Sequence, residues 1–212
     1  MMKLYGYWRS SGSYRVRIAL ALKGVEVEHI AVNLREGVQR GEAHISRNVQ
    51  GYVPVLELED GTHLSQSLAI MDYLDATYRE PRLMPVDPIL RSKILAASLI
   101  IASDISPIQN LSVLNYIKAE YGQDAEGAKV WSAHWIAKGL AALEAIAQNY
   151  DTPYLMTEQP RFFECCLIPQ VYNARRFEVD MDQFPKLKAI DAACNALEPF
   201  IKAAPENQAD AF

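Results

Sequence analysis

A proline-rich segment divides the chain into two parts with different hydrophobic patterning. Residues 79–88, REPRLMPVDP, hold three prolines in ten positions, and proline continues neither a helix nor a central strand. Before this segment, short alternating runs are interleaved with helical spacings; after it, every apolar run has helical spacing. We therefore predict a small α/β domain over residues 1–80, a linker over 81–88 and an all-helical domain over 89–212.

The first part has the pattern of a β-α-β unit followed by two strands and a helix. Lys23 and Gly24 end the first helical spacing, as a last-turn cation and a following glycine do, and we expect Ser65 to cap the second helix. Strands are predicted at residues 3–8, 25–34, 53–61 and 62–64. Helices are predicted at 11–24 and 65–78, weakly at 36–48, and then at 89–121, 125–150, 162–176 and 186–203.

The composition is that of an ordinary globular protein, since half of the 212 residues are hydrophobic and the net charge is −5. Interleaved, slightly acidic charge argues against a nucleic-acid partner. We find no pattern of a signal peptide or a membrane span. Three cysteines, two of them adjacent, form no disulfide framework and favour a reducing, cytoplasmic location. The four histidines are far apart, which predicts no metal site.

The stretch WRSSGSYRVRIALALKG, residues 8–24, places three hydroxyl side chains around Gly12: Ser10, Ser11 and Ser13. A strand that ends here and a helix that begins at once would put them at a helix N-terminus, where a serine commonly acts as the cap. The same N-terminus favours negative charge, so the serines could instead activate a bound thiol. The residues alone leave both interpretations open.

The dipeptide Val53-Pro54 also has two interpretations. A proline at the start of a strand is ordinary, and this is the more frequent case. In the cis form, the bond would turn the backbone N–H and C=O of Val53 outward, free to pair with an extended peptide.

Four longer motifs occur along the chain in a distinctive order. They are RSSGSYRVRIALALKG (9–24), SQSLAI (65–70), PIQNLSVL (107–114) and IPQVYNARRFEVD (168–180). Together with the β-α-β pattern and the Val-Pro strand, they resemble the zeta class of the cytosolic glutathione transferases over nearly the whole chain. The resemblance implies a thioredoxin-like first domain, a helical second domain, glutathione as the cofactor and a homodimer. It further implies a small-molecule substrate, a dicarboxylate or an α-haloacid-like electrophile.

The resemblance also implies roles for individual residues. Ser10 would donate a hydrogen bond to the glutathione thiolate, with Ser11 nearly as good a candidate, and one of the two could merely cap the helix. Gln109 would reach glutathione from the helical domain or from a second subunit, unless it is a solvated helix residue. The residues implied to hold glutathione are Ser10, Ser11, Gln39, Val53, Pro54, Gln66, Ser67 and Gln109.

Arginines suit the binding of substrate carboxylates and the stabilisation of a developing enolate. By the same resemblance, Arg9 and Arg176 are the candidates, with Arg175 as the solvent-facing neighbour. We expect structural roles for Arg15 and Arg17. One would pair with an acidic residue, and Arg17 in particular would lay its stem along the helix.

The implied reaction is the cis–trans isomerisation of a maleylacetoacetate-type substrate in aromatic amino-acid catabolism. The glutathione thiolate would add reversibly, so that glutathione is not consumed. A related branch isomerises maleylpyruvate and carries arginines where this chain has Leu111-Ser112, which favours maleylacetoacetate. The alternatives are a broader glutathione transferase or peroxidase, and a fold member that binds without turnover.

The chain departs from the zeta pattern at two places. Gly12 replaces a cysteine, and Arg161 and Glu164 replace the Thr-x-x-Asp cap of the helix at 162–176. A lost cap costs ~1 kcal/mol unless Glu164 accepts the free N–H groups of the first turn. Small or apolar core positions are predicted at Trp131, Trp135, Leu140, Leu143, Cys165, Cys166 and Cys194.

Overall fold

A computed structural model describes the chain from Met1 to Ala211. The chain forms two compact units. The first comprises Met1–Leu83 and the C-terminal stretch that begins at Ala196, and the second is Met84–Asn195. The class predicted from the sequence, an α/β part followed by a mostly helical part, is confirmed.

The first unit is built on a four-stranded mixed sheet. Its strands are β1 (Lys3–Gly6), β2 (Glu28–Ala31), β3 (Val55–Glu57) and β4 (His63–Ser65), in the order β2-β1-β3-β4. β1 and β2 are parallel because a helix connects them, whereas β3 pairs antiparallel with both β1 and β4. The order of strands and helices matches the thioredoxin-like prediction, although β1, β2 and β3 are shorter than their predicted runs.

Helix α1 (Ser11–Lys23) connects β1 to β2 and follows local capping rules at both ends. Ser10 caps its N-terminus, and Gly24 ends it in the left-handed conformation with φ of 64°. The short helix α2 (Glu42–Ile45) follows β2. Helix α3 (Ser67–Thr77) completes the order. The expectation that Ser65 caps α3 is wrong, because Ser65 pairs with Val55 in the sheet and Gln66 holds the cap position.

The predicted helix at 89–121 is several elements rather than one. Helix α4 (Pro88–Leu99) passes into a π-helical turn (Ile100–Ile105), a 3₁₀ turn (Pro107–Gln109) and then α5 (Leu111–Tyr121). Pro107 has no N–H to continue the α-helical pattern. Asn110 restarts it, since its side chain accepts a hydrogen bond from the Ser112 N–H.

By length and composition alone, the helical run Pro88–Tyr121 could cross a membrane. It has 34 residues, and an 18-residue window within it has a mean hydropathy of 1.4. A core helix of a water-soluble protein can pass the same test. In this chain, 33% of the 18-residue window is buried. Length and composition are therefore weak evidence, and the absence of a membrane span stays a prediction.

The further α-helices within residues 1–211 are α6 (Ala125–Ala147), α7 (Phe162–Arg176), α8 (Pro185–Asn195) and α9 (Glu198–Ala203). The predicted helix at 186–203 is thus two helices, and α9 belongs to the first compact unit. Leu140 and Leu143 are fully buried as predicted, but Trp131 is 37% exposed, so its assignment to the core is wrong. Its indole N–H instead donates to the Ile108 carbonyl at 2.8 Å.

The three cysteines are buried free thiols, as the sequence predicts. Cys165 and Cys166 lie side by side within α7, and Cys194 lies in α8. Burial raises the pKa of the Cys165 and Cys194 thiols above the ordinary thiol value. They are therefore held in the protonated, unreactive form and act as small packing residues.

Glu164 replaces the missing threonine cap of α7. One carboxylate oxygen accepts the Arg161 N–H at 2.7 Å, and the other accepts the Leu155 N–H at 2.9 Å. The carboxylate therefore joins the helix start to the loop before it, although it is fully buried. Burial is the main cause that raises the pKa of Glu164 to about 7, outweighing the two N–H donors, which lower it.

We expect Glu164→Gln to lower the free energy of unfolding by about 1–3 kcal/mol, because its amide NH₂ would face one of the two N–H donors. The folded protein binds more protons than the unfolded chain between the ordinary carboxyl pKa of 4.5 and about 7. Wild-type stability should therefore fall as the pH rises through this interval, and the variant should lack this fall.

Urea unfolding followed by circular dichroism, from about pH 5 to pH 8, measures both effects. The exposed Glu158 lies in the preceding loop, and Glu158→Gln is the matched control. Wild-type and E164Q stabilities that stay parallel across this range would show that the buried carboxyl does not titrate there.

Candidate active site

The connection from β1 to α1 carries the serines. The Tyr7 carbonyl accepts the Ser10 N–H at 2.9 Å, which turns the chain. The Ser10 hydroxyl accepts the Ser13 N–H at 3.3 Å, so Ser10 is the helix cap. A hydroxyl that accepts one hydrogen bond can still donate its own proton, and the cap role leaves that donation possible. Ser11, half-buried, is the first residue of α1.

Ser13 has a structural position. It is fully buried, and its hydroxyl accepts the Tyr7 N–H at 3.3 Å. A Cβ atom on Gly6 would lie only 3.0 Å from the Ser13 hydroxyl, so the glycine makes this close contact possible. Of the three serines, Ser10 and Ser11 are therefore the ones left to face a ligand.

The Val53-Pro54 bond is cis, the less frequent of the two interpretations. Pro54 packs against the first turn of α1. A Cβ atom on Gly12 would lie 3.0 Å from the Pro54 Cδ and 3.5 Å from the Val53 carbonyl oxygen. The glycine that replaces the cysteine of the zeta pattern therefore allows α1 to begin directly beside Val53 and Pro54.

The first turn of α3 has no side-chain cap in the described residues. Gln66 has a φ of 68°, which is rare for a non-glycine residue and typical of strained functional positions. Its side chain makes no cap hydrogen bond and instead donates to the Gln50 side-chain oxygen at 2.8 Å. The first-turn N–H groups of α3 and the positive end of its dipole can therefore receive an anion.

Arg15 is the residue whose role the sequence analysis missed. Its guanidinium donates to the Ser67 hydroxyl at 3.2 Å, and both side chains are buried. Ser67 is the first residue of α3, so the contact joins α1 to the candidate anion site. The expectation of an acidic partner does not lead to this contact, because Ser67 is an uncharged hydroxyl 52 positions away.

Arg17 is structural, but it does not lay its stem along an exposed helix face. It is 6% exposed, and its guanidinium donates to the carbonyls of Trp8 at 2.8 Å and Ala203 at 3.0 Å. Burial lowers the pKa of Arg17 to about 10, so it stays charged at neutral pH.

Gln39 brings an unsatisfied acceptor to the same region. It is 8% exposed, and within residues 1–211 its side-chain oxygen has no hydrogen-bond partner. A Cβ atom on Gly51 would lie 3.2 Å from the Gln39 carbonyl oxygen, so Gln39 adjoins the loop that leads to Val53. A buried acceptor without a donor is costly, and a ligand N–H would satisfy it.

The first unit thus brings together most of the residues that the sequence analysis selected there. The contacts of Gly12, Arg15 and Gln39 join the start of α1, the Val53-Pro54 turn and the start of α3. Arg9 is half-buried, with its guanidinium 5.1 Å from the centre of the Trp8 ring.

The other two selected residues belong to the second unit. Gln109 is buried, so the alternative of a solvated helix residue is wrong; its side-chain nitrogen donates to Gln170 at 2.6 Å. Arg176 is exposed in the last turn of α7, with its guanidinium 4.8 Å from the centre of the Phe177 ring. Its neighbour Arg175 pairs with Asp191 at 2.5 Å.

Comparison with known proteins places this arrangement in one family. The model of the glutathione S-transferase N-terminal domain matches residues 1–76. A Vibrio cholerae protein named probable maleylacetoacetate isomerase is 46% identical over 210 residues, 98% of this chain and 97% of its own length.

Two solved structures are similar over almost the whole chain. A holo maleylpyruvate isomerase, described as a bacterial zeta-class glutathione S-transferase, has a TM-score of 0.96 at 39% identity, covering 99% of this chain and 100% of its own. The Anaeromyxobacter dehalogenans maleylacetoacetate isomerase with glutathione in its active site has a TM-score of 0.90 at 40% identity, covering 100% and 98%.

The fold and the serine-bearing helix start are those of a glutathione transferase. Within that class, the chain belongs to the zeta-class family that includes the maleylacetoacetate isomerases.

We expect Gly12→Ala to raise the KM for glutathione about two- to fivefold, since the added methyl must push Pro54 and Val53 from α1. Steady-state kinetics at varied glutathione concentration measures this. Thermal unfolding serves as the control. Because alanine is the better helix former, the melting temperature should not fall in proportion to the rise in KM. An unchanged KM would show that the Val53-Pro54 turn shifts without cost.

Proposed function

We propose that this protein is a glutathione-dependent cis–trans isomerase of maleylacetoacetate-type substrates in aromatic amino-acid catabolism. The observation that carries the proposal is the link between α1, which bears the serines and begins beside Val53-Pro54, and the uncapped first turn of α3, made by Arg15 and Ser67. Membership of the zeta-class family supports the same activity.

The residues present fit glutathione, an anionic peptide with a thiol. The first turn of α3, with Ser67, suits the γ-glutamyl carboxylate. The backbone of Val53, beside Pro54, suits pairing with the extended peptide, and Gln66 lines the same end. Gln39 supports the fit independently, because its buried oxygen needs an N–H donor and a peptide ligand carries one.

Ser10 and Ser11 would hold the sulfur in its reactive form. A free thiol has a pKa of ~8.5 and is mostly protonated at neutral pH. A hydroxyl donor and the positive end of α1 both favour the thiolate. Bound glutathione then supplies a nucleophile that adds reversibly to the cis double bond, allows rotation and leaves unchanged.

Arg9 and Arg176 are our candidates for the substrate carboxylates and for the negative charge that develops on the substrate carbonyl. A guanidinium stays charged and binds a carboxylate through two parallel hydrogen bonds. Gln109 is our candidate for a further contact to glutathione, made from the helical domain.

We further propose a cytoplasmic homodimer, with residues 1–80 as the glutathione-binding domain and helices α4 to α8, after the 81–88 linker, as the substrate-binding domain. Three reduced, buried cysteines support the location. Exposed apolar side chains on α4 and α5 support self-association. They are Ile89, Leu99, Leu111, Tyr116 and Tyr121.

Maleylpyruvate is the second candidate substrate, favoured by the similarity to the holo maleylpyruvate isomerase. Leu111-Ser112 favours maleylacetoacetate, because the maleylpyruvate branch places arginines there.

We expect the protein with glutathione to convert maleylacetone, a maleylacetoacetate analogue, to its trans isomer without loss of thiol, and faster than it converts maleylpyruvate. Absorbance and a parallel thiol assay measure the two quantities. Thiol consumption without trans product would instead indicate a general transferase.

Substitution of each serine in turn tests which hydroxyl stabilises the thiolate. We expect Ser10→Ala to lower kcat/KM by at least tenfold, about 1.4 kcal/mol of transition-state stabilisation, and to raise the pKa of the bound thiol. Loss of the cap alone would cost ~1 kcal/mol of stability without changing that pKa. Ser11→Ala is compared directly, with the exposed Ser46→Ala as the control. If neither serine variant lost tenfold, thiolate stabilisation by these hydroxyls would be wrong.

A further inference from the structure

The segment that leads to the serines is held at both backbone polar groups of Trp8. The Trp8 N–H donates to the Asp210 carboxylate at 3.0 Å, across 202 positions of sequence. The Trp8 carbonyl accepts from the Arg17 guanidinium at 2.8 Å. Arg17 in turn donates to the Ala203 carbonyl at 3.0 Å. The C-terminal stretch therefore reaches the β1–α1 connection twice, once directly and once through Arg17.

These contacts lie at the edge of a cavity. A cavity of about 530 Å³ lies between the sheet, α1 and the C-terminal stretch, lined among others by Trp8, Ser13, Arg17 and Asp210. Trp8 is 8% exposed, so its side chain is packed, but apolar packing is non-directional and the polar bonds fix the direction of its backbone. The Asp210 bond is also charge-assisted, which makes it stronger than a neutral one.

We propose that Asp210 is a positioning residue for the reaction: by binding the Trp8 N–H, it sets the direction in which the chain leaves β1 and so places the Ser10 and Ser11 hydroxyls against the sulfur of glutathione. This rests on the proposed function of the serines. Trp8 precedes Ser10 by only two positions, so a change in its backbone direction moves both hydroxyls. Thiolate stabilisation depends on such placement within about 0.5 Å.

The experiment compares Asp210→Ala, which removes the acceptor, with Asp210→Asn, whose amide oxygen still accepts. We expect D210A to raise the pKa of bound glutathione, read from thiolate absorbance, and to lower kcat/KM about tenfold. D210N should stay within about threefold of wild type. If the loss of negative charge alone were the cause, D210A and D210N would show equal changes in the thiol pKa and in kcat/KM. That result would overturn the proposal.

Gln208→Ala is the matched control. Within residues 1–211 its side chain donates to the carbonyls of Lys202 and Ala204, so Q208A removes two local bonds of the C-terminal stretch and leaves the Asp210 acceptor of Trp8 in place. We expect Q208A to lower the melting temperature and to leave the thiol pKa unchanged. Equal effects of Q208A and D210A on that pKa would contradict a specific role. If D210A does not fold, Asp210→Ser replaces it, because the shorter hydroxyl does not reach Trp8.

Hydrogen exchange at the Trp8 amide separates the failure of this proposal from that of the proposed function. Faster exchange in D210A, with near wild-type exchange in D210N, is expected whether or not the protein turns over a substrate. Inactive wild-type protein would refute the isomerase proposal alone. Active wild-type protein with D210A within about twofold in kcat/KM would refute the positioning role alone.

Discussion

The close approach of the first turn of α1 to Val53-Pro54 is the contact on which the candidate site depends. It brings hydroxyl groups and a helix dipole beside the Val53-Pro54 turn, and each has chemical value only beside the others. Glycine at position 12 makes the approach possible, because any side chain there would lie against the proline ring. The same glycine leaves no protein thiol at this helix start, so the only sulfur for the proposed chemistry is that of glutathione.

Around this contact, buried polar groups act as connectors between elements that are distant in sequence. Arg15 joins α1 to the start of α3 through Ser67, and Arg17 joins it to the Trp8 and Ala203 carbonyls. A buried guanidinium must satisfy its donors inside the protein, so each such group specifies where its acceptors lie. This gives the site a defined shape although its strands are only three or four residues long.

Much of the fold could be predicted from the sequence because its signals are local. Ser10 and Gly24 each belong to a capping pattern of three or four residues. They mark the beginning and the end of α1 where the sequence indicated. Prediction failed where a longer-range contact overrode the local pattern. Ser65 has the chemistry of a cap, but its pairing with Val55 holds it in a strand. Trp131 has helical core spacing, but the residue is 37% exposed and its indole N–H donates to the Ile108 carbonyl.

The sequence by itself determined the class of the chain and the order of its elements, because patterns within one helical turn or one strand carry that information. The candidate serines, glutamines and arginines were selected through the resemblance of longer motifs to the zeta class. The tertiary structure alone decided the partners. The bonds of Arg15 to Ser67, of Gln109 to Gln170 and of Trp8 to Asp210 join residues 52, 61 and 202 positions apart. No periodicity reaches so far, since only the packing of whole elements brings such groups within hydrogen-bonding distance.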